Sequence, residues 1–323
     1  MLNKSITVGD IKARSSIALA PMAGVADLPF RQLAWELGAG YMVSEMVSSS
    51  DHLWDTDKNR MRRVALSGVF PNVIQIAGFD PKALSESARK VVDEGADIVD
   101  INFGCPAKKV CKKLAGSALL DDIALVGCIV ETVAEAVSVP VTIKTRTGIT
   151  PDDHVGIRAA RIAQESGAQM VVIHSRSRSC RFKGVVDHRK LAELKSTLSI
   201  PFLVNGDICS EDSAKTALKE SFADGVMLGR GAVGQPWIFR ELAGKAKMTV
   251  QEKWNVMERH VHLAYEFYGM KMGLKMMRKH IKAYLINLGC GDLIRAAMSI
   301  DEPSELIGFL GRRELKDRLE LSY

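Results

Sequence analysis

Eight short apolar runs rich in β-branched residues recur through the chain, at 17–20, 41–43, 73–76, 98–101, 139–143, 171–173, 202–204 and 225–228. They are continuously apolar rather than alternating, the pattern of parallel strands covered on both faces. Successive runs lie about thirty residues apart, room for one strand, one helix and two loops. Helical periodicity fills most of the gaps, at 29–37, 81–94, 122–137, 152–166 and 211–220. The expected fold is α/β: a (β/α)8 TIM barrel, since an open doubly wound sheet seldom carries polar motifs after nearly every strand. Beyond about residue 242 the strand pattern stops. Helices are expected at 249–268, 270–288 and 291–319, separated by Gly269 and the Gly289-Cys290-Gly291 turn. We expect the barrel to occupy 1–244 and a small all-α helical bundle 245–323.

Composition narrows the class. The chain has 323 residues, 47% hydrophobic and 25% charged, with a mean hydropathy of +0.02, which excludes a disordered, collagen-like or coiled-coil protein. The longest stretch without an acid or a base, 64–79, contains Pro71, Asn72 and Gln75, so no membrane span is expected. The opening MLNKSITVGDIKARSS has neither an apolar signal core nor a transit-peptide composition, and the expected location is the cytoplasm. Cysteines at 105, 111, 128, 180, 209 and 290 are too sparse for a disulfide framework and show no zinc spacing, so reduced thiols and no metal are expected.

The charge is uneven. Of the net +6, residues 245–323 carry +4, with 14 basic and 10 acidic side chains. Lys271, Lys275, Arg278, Lys279 and Lys282 fall on one stripe of the second expected C-terminal helix, opposite Leu274, Met277, Ile281, Tyr284 and Leu288. A solvated basic face is the plain reading; an anionic partner is the functional one.

Active sites of β/α barrels are built where the strands end, so the residues that follow each run form a chemical inventory. They are Pro21-Met22-Ala23-Gly24, Ser44-Glu45-Met46, Gln75, Asn102-Phe103-Gly104-Cys105-Pro106, Lys144-Thr145-Arg146-Thr147-Gly148, His174-Ser175-Arg176-Ser177-Arg178, Asn205-Gly206-Asp207 and Gly229-Arg230-Gly231. The last two are glycine loops followed by a short helix opening near 234–237, the usual place for phosphate in this architecture, and Arg230 adds a guanidinium fork. Lys144 and His174 can face a bound ring and stabilise negative charge developing on it; a Schiff-base role is the rival for Lys144. Gln75 and the backbone of Pro21 to Ala23 can bond the edge of a planar heterocycle. Cys105, on a Gly-Cys-Pro turn before a long loop, is placed as nucleophile or proton donor, with Asn102 three residues away.

These residues carry a resemblance. PMAGVADLPFR at 21–31, QIAGFDP at 75–81, DINFGCPAKKVCKKLAGSALL at 100–120, KTRTG at 144–148, NGDI at 205–208 and GRGAVGQPWIF at 229–239 resemble the tRNA-dihydrouridine synthases, closest to the bacterial B-type branch. The likeness extends through MMRKH into the C-terminal helices and covers essentially the whole chain. It implies an FMN enzyme that uses NADPH, or NADH, to reduce the C5–C6 double bond of selected uridines in the D-loop region of tRNA. It implies hydride from flavin N5 to C6 and a proton from Cys105 to C5, with the target base unstacked. By this resemblance Pro21, Met22, Ala23, Gln75 and Lys144 bind the isoalloxazine ring, and Asn205, Gly206, Asp207, Gly229 and Arg230 hold ribityl and phosphate. His174 lies in the flavin pocket; Asn102, Arg146, Arg176 and Arg178 face the RNA with the basic stripe. The family's usual His-Gly-Arg-Thr-Arg after the sixth strand is His-Ser-Arg-Ser-Arg here. No membrane and no obligate protein partner are expected from the sequence.

Two other functions fit parts of the pattern. An FMN-dependent small-molecule pyrimidine dehydrogenase, of the dihydroorotate dehydrogenase kind, would share the barrel and the flavin site but not the basic helices. An RNA-binding protein without chemistry would not need Cys105, Lys144, His174 and Arg230 together.

Overall fold

The computed structural model describes residues 4–312. It opens on an antiparallel hairpin, β1 (Ile6–Val8) and β2 (Ile11–Ala13), which the sequence pattern does not reveal because each strand is three residues long with a polar residue at its centre. The barrel strands are β3 (Ile17–Leu19), β4 (Tyr41–Met42), β5 (Val47–Ser48), β6 (Val73–Ala77), β7 (Ile98–Asn102), β8 (Val141–Arg146), β9 (Met170–His174), β10 (Phe202–Asn205) and β11 (Gly225–Leu228). All neighbouring pairs in this sheet are parallel, in the order β4-β3-β11-β10-β9-β8-β7-β6-β5. A parallel bridge between Val43 and Val73, and a bond from the Ser44 N–H to the Val73 carbonyl at 3.0 Å, close the ring.

Eight positions are therefore filled by nine strands, because Ser44-Glu45-Met46 interrupts the second position instead of following it. The strand at the fifth barrel position, β8, also differs from expectation. It runs to Arg146, so Lys144 and Arg146 project from a paired strand rather than from a loop. A polar residue pointing into a barrel is held by its neighbours there, and apolar continuity alone could not show that.

Alternate side chains of each strand face opposite ways. Ile17, Leu19, Val99, Ile101, Ile143, Ile173, Val204 and Leu228 belong to the outer core shared with the surrounding helices. Ala18, Tyr41, Val73, Ile98, Met170, Leu203 and Met227 form an inner core, plugged from below by Ile6, Val8 and Ala13 of the hairpin. Above that apolar floor the inward positions become polar: Gln75, Asp100, Asn102, Thr142, Lys144, His174 and Asn205.

The helices α1 (Leu28–Glu36), α2 (Pro81–Asp93), α3 (Ile123–Ala136), α4 (Val155–Glu165) and α5 (Glu211–Ser221) flank the barrel, within three residues of their expected limits. Asp27, Asp80, Asp122 and Ser210 cap four of them by accepting from backbone N–H groups in the first turn. Two short helices at Asp51–Trp54 and Asp57–Arg63 were not expected.

The C-terminal region is helical. α6 (Val250–Tyr268), opened by a Thr249/Glu252 capping box, packs against α7 (Met270–Asn287). The single helix expected at 291–319 is instead a set of shorter pieces, with helices at Ile294–Met298 and Pro303–Leu310; Pro303 starts the second, and 313–319 lie outside the described residues. Leu274, Met277, Ile281, Tyr284 and Leu288 are buried in this second core, as the periodicity implied.

The second core also takes in Leu33 and Trp237 from the barrel side, so the two cores abut. The Tyr268 hydroxyl donates to Asp27 at 3.0 Å, Arg259 pairs with Glu36 at 3.0 Å, and a Cβ on Gly234 would lie 2.4 Å from the Ala283 carbonyl carbon. Gly234 has φ +75°, so the loop after the last barrel strand needs glycine both for its conformation and for this close approach.

Candidate active site

At the C-terminal mouth of the barrel lies a cavity of about 900 Å³. It is lined by every residue the resemblance gave to the cofactor, namely Pro21, Met22, Ala23, Gln75, Lys144, His174, Asn205, Gly206, Asp207, Gly229 and Arg230, and also by Asn102, Cys105, Arg146 and Arg176. Arg178 and the five basic residues of α7 do not line it.

The lower part is one buried chain of hydrogen bonds. Thr142 Oγ1 donates to Asp100 Oδ1 at 2.6 Å, Gln75 Nε2 donates to Asp100 Oδ2 at 2.7 Å, and Asn102 Nδ2 donates to Gln75 Oε1 at 2.7 Å. Asn102 Oδ1 then accepts from the backbone N–H of Gly104 at 3.1 Å and of Cys105 at 2.9 Å. The β-register places Gln75 beside Asp100 and Asp100 beside Thr142, so three adjacent strands supply the chain. Burial pushes the Asp100 carboxyl up to about 6, against the pull of its Thr142 and Gln75 hydrogen bonds and of Lys144. Asp100 escapes sequence reasoning because an acid inside an apolar strand carries no motif; its signal is that a buried carboxylate needs partners.

The turn bearing Cys105 is tied down from its other side too. The Ser117 N–H and hydroxyl donate to the Cys105 carbonyl at 3.1 and 3.0 Å. Burial, the largest influence, raises the Cys105 thiol above its ordinary value, so it is a protonated thiol at neutral pH.

Lys144 rises from the barrel interior and donates to Asn205 Oδ1 at 3.0 Å, while Asn205 Nδ2 donates to the Met227 carbonyl at 2.7 Å. Burial, then the neighbouring Arg146, lower the Lys144 ammonium to about 8. His174 is held neutral, well below the ordinary imidazole range, by burial and then by Lys144 and Arg146. A Cβ on Gly206, at φ +133°, would meet the His174 ring at 3.1 Å, so glycine keeps this edge of the cavity open.

The arginines sort by what they touch. Arg146 is buried, donating from Nε to the Gly104 carbonyl at 2.7 Å and from Nη1 to the Ser177 and Arg181 carbonyls at 3.0 and 2.8 Å. It binds the Cys105 turn to the loop after the sixth barrel position. Arg176 is buried and grips Asp207 with both Nη atoms, the Nη1 contact at 2.8 Å. Arg230 reaches the same carboxylate at 3.2 Å but is largely exposed. Arg178 pairs with Asp121 at 2.6 Å and bonds the Ser117 carbonyl at 3.2 Å, a clamp on the far end of the Cys105 loop and not a pocket group.

The serines that replace the family's Gly and Thr settle locally. Ser175 lies 2.7 Å, Oγ to Nδ1, from His188, and Ser177 bonds Ser179 and Cys180. Ser175 is not among the residues with positive φ, so no glycine is required there. Phe182 is a further lining residue that no sequence motif marked; it stands half-exposed at the mouth, its ring centroid 5.4 Å from the guanidinium carbons of both Arg146 and Arg230.

The basic stripe is not uniform. Lys271, Lys275 and Lys282 are exposed, whereas Arg278 pairs with Asp301 at 2.6 Å and bonds the Ile300 carbonyl. Lys279 leans toward the barrel, its Nζ 3.8 Å from where a Gly24 Cβ would stand, and is influenced by Asp27 and Glu45. Glu45 accepts from the Gly24 N–H and lies 3.5 Å from Arg62.

A parallel β/α barrel with a thiol, an ammonium and paired glycine loops around one deep mouth is the architecture of an enzyme acting on a ligand at the strand ends. The chain matches the family model described as Dihydrouridine synthase (Dus) over residues 18–306. It is 42% identical over 308 residues to the "tRNA-dihydrouridine synthase B" of Pseudomonas syringae pv. tomato, covering 93% of this chain and 91% of the relative. It is 42% identical over 306 residues to the protein of the same name from Proteus vulgaris, covering 92% and 95%. The chain belongs to the dihydrouridine synthase family, in its bacterial B-type branch, and is an oxidoreductase. Among solved structures, a variant of NCR from Zymomonas mobilis superposes with a TM-score of 0.55 at 19% identity, over 77% of this chain and 92% of that one. At that identity the likeness concerns the fold alone.

Proposed function

We propose that this oxidoreductase is a tRNA-dihydrouridine synthase that uses FMN, reduced by NADPH or NADH, to saturate the C5–C6 bond of selected uridines in the D-loop region of tRNA. The observation that carries the reading is one cavity joining the Cys105 thiol to Lys144 and to the glycine loops after the last two strands. The names of the curated relatives agree with it.

The residues present fit FMN. A Cβ on Gly206 would meet the His174 ring at 3.1 Å and so crowd the cavity wall, Arg230 offers an exposed guanidinium beside it, and Lys144 supplies a half-buried cation. Lys144, with Pro21, Met22, Ala23 and Gln75, would hold the ring system, and Asn205, Gly206, Asp207, Gly229 and Arg230 the ribityl phosphate. When bound, FMN supplies the hydride. Cys105 keeps its proton at neutral pH and delivers it to C5; Asn102 and Arg146 fix the turn that carries it, which is a positioning role as well as the RNA-facing one implied by resemblance. His174 stays neutral beside Lys144 and adds no second charge. Arg176 holds Asp207 in place.

Among the described residues no helix is long and apolar enough to cross a membrane; we place the protein in the cytoplasm with tRNA as its partner. We divide it near Gly244 into a catalytic barrel and a helical tRNA-binding domain. Purified protein is expected to carry flavin absorbance and to form dihydrouridine in tRNA when given NADPH. A protein that takes up no FMN would remove the reading.

A further inference from the structure

The loop that begins at Cys105 carries more charge than its chemistry uses. Lys108, Lys109, Lys112 and Lys113 are all exposed, and among the described residues none of their side chains has a hydrogen bond or ion pair. Lys108 and Lys112 lie one helical turn apart on the short helix Lys108–Cys111 and its C-cap, so like charges repel there with no acid interleaved. The nearest acid that follows along the chain, Asp121, is occupied by Arg178.

The segment is also fixed to the site. Pro106 and Ala107 line the cavity and Lys108 follows directly. The Cys111 thiol lies 3.5 Å from the Cys105 carbonyl, which also accepts from Ser117. The lysines therefore follow directly on residues that line the mouth, in a segment bonded to the Cys105 turn.

A nucleotide whose base enters the cavity leaves its flanking phosphates outside, where the rim must meet them. We propose that Lys108, Lys109, Lys112 and Lys113 form a binding surface for the sugar-phosphate backbone of tRNA next to the target uridine, separate from the basic face of α7. The proposal rests on the tRNA reading above. Anion binding here relieves the repulsion among the lysines and sets the Cys105 turn against the inserted base.

The test compares wild-type holoenzyme, a variant with all four lysines changed to glutamine, and one with all four changed to arginine, by tRNA affinity across a salt series. The glutamine variant is expected to bind at least about 10-fold more weakly at low salt, with a slope of log affinity against log salt flatter by about 0.7 to 0.9 for each phosphate no longer neutralised. The arginine variant is expected to keep the wild-type slope. A glutamine variant with the wild-type slope and affinity overturns the proposal while leaving the tRNA reading standing. A raised KM for NADPH with tRNA binding unchanged assigns the lysines to the dinucleotide's phosphates and also overturns it. A wild-type enzyme that does not bind tRNA overturns the underlying reading and this surface with it.

Discussion

Asn102 holds Cys105: its side-chain oxygen accepts the Cys105 N–H at 2.9 Å, while its amide nitrogen is spent on Gln75 and, more weakly, on Met46. Replacing it removes the tie to the Cys105 N–H without touching the thiol, while Ser117 and Arg146 still hold the turn. Asn102→Ala should lower uridine reduction by about 10²-fold, the scale of a misplaced reacting group. The flavin half-reaction with NADPH should change far less. Single-turnover measurement of the two half-reactions separates these outcomes, and equal losses in both would show that Asn102 acts on the flavin instead.

The thiol itself gives a second expectation. Cys105→Ala should reduce tRNA turnover by about 10²- to 10⁴-fold, the usual weight of a general acid. Because burial raises the thiol, the proton-donating form is complete at pH 7 to 8 and is lost only as pH rises through a value above the ordinary thiol range. The rate of uridine reduction should therefore be flat through neutrality in wild type, and a decline already complete by pH 8 would assign the proton to another group.

Lys144 makes a contrasting pH prediction. Its ammonium, lowered to about 8 by burial, loses its charge as pH rises through that value. If this cation stabilises negative charge on the bound ring, reduction by NADPH should slow above about pH 8. Lys144→Arg, with a cation that persists, should move that decline to higher pH, although the longer group will weaken flavin binding. Stopped-flow flavin reduction across pH 6.5 to 9.5 provides the comparison.

The junction of barrel and helices holds two buried histidines. His260 and His280 face each other at 4.7 Å between ring centroids, with Phe30 of α1 stacked nearby at 5.4 Å, and neither His280 nitrogen has a hydrogen-bond partner among the described residues. Burial lowers His280 to about 3 and His260 well below its ordinary value. Below pH 6.5 the unfolded chain binds protons that these histidines refuse in the folded state, so their contribution falls with pH from about 6.5 toward 3. Asp27 and Asp100, both raised to about 6, act oppositely between about 6 and 3.8. A His260→Leu/His280→Leu variant should lose less thermal stability between pH 7 and 5 than wild type. Parallel melting curves would dismiss the histidines as the acid-sensitive element.

The uneven stripe of α7 predicts unequal variants. Neutralising Lys271, Lys275 and Lys282 should weaken tRNA binding and flatten its salt dependence by about 0.7 to 0.9 for each phosphate left without its cation. Arg278→Ala should act mainly on thermal stability through removal of the Asp301 pair, within about 1 kcal/mol for so exposed an ion pair. A salt slope unchanged in the triple variant would return α7 to a solvated basic face.

Much of the barrel was legible because its strands bury both faces, which makes continuous apolar runs, and its helices between them keep a helical period. What escaped was governed by contacts across the ring. The β1–β2 hairpin is too short for periodicity, and the break at Ser44-Glu45-Met46 depends on the Val43–Val73 closure. Cys105, Lys144 and Arg230 stood out because their residue types are reactive or charged at strand ends. Asp100 did not, since only its two buried partners reveal it. The pairing of Arg178 with Asp121 carries no sequence signal either, since the two lie 57 residues apart.

The most direct measurement is nucleoside mass spectrometry of an unmodified tRNA transcript incubated with the FMN-loaded protein and NADPH, beside the Cys105→Ala variant. Dihydrouridine is expected at defined positions with wild type and a loss of about 10²-fold or more with the variant, while NADPH still reduces the flavin. Absence of dihydrouridine in the tRNA, with rapid reduction of a free pyrimidine by the same preparation, would contradict it.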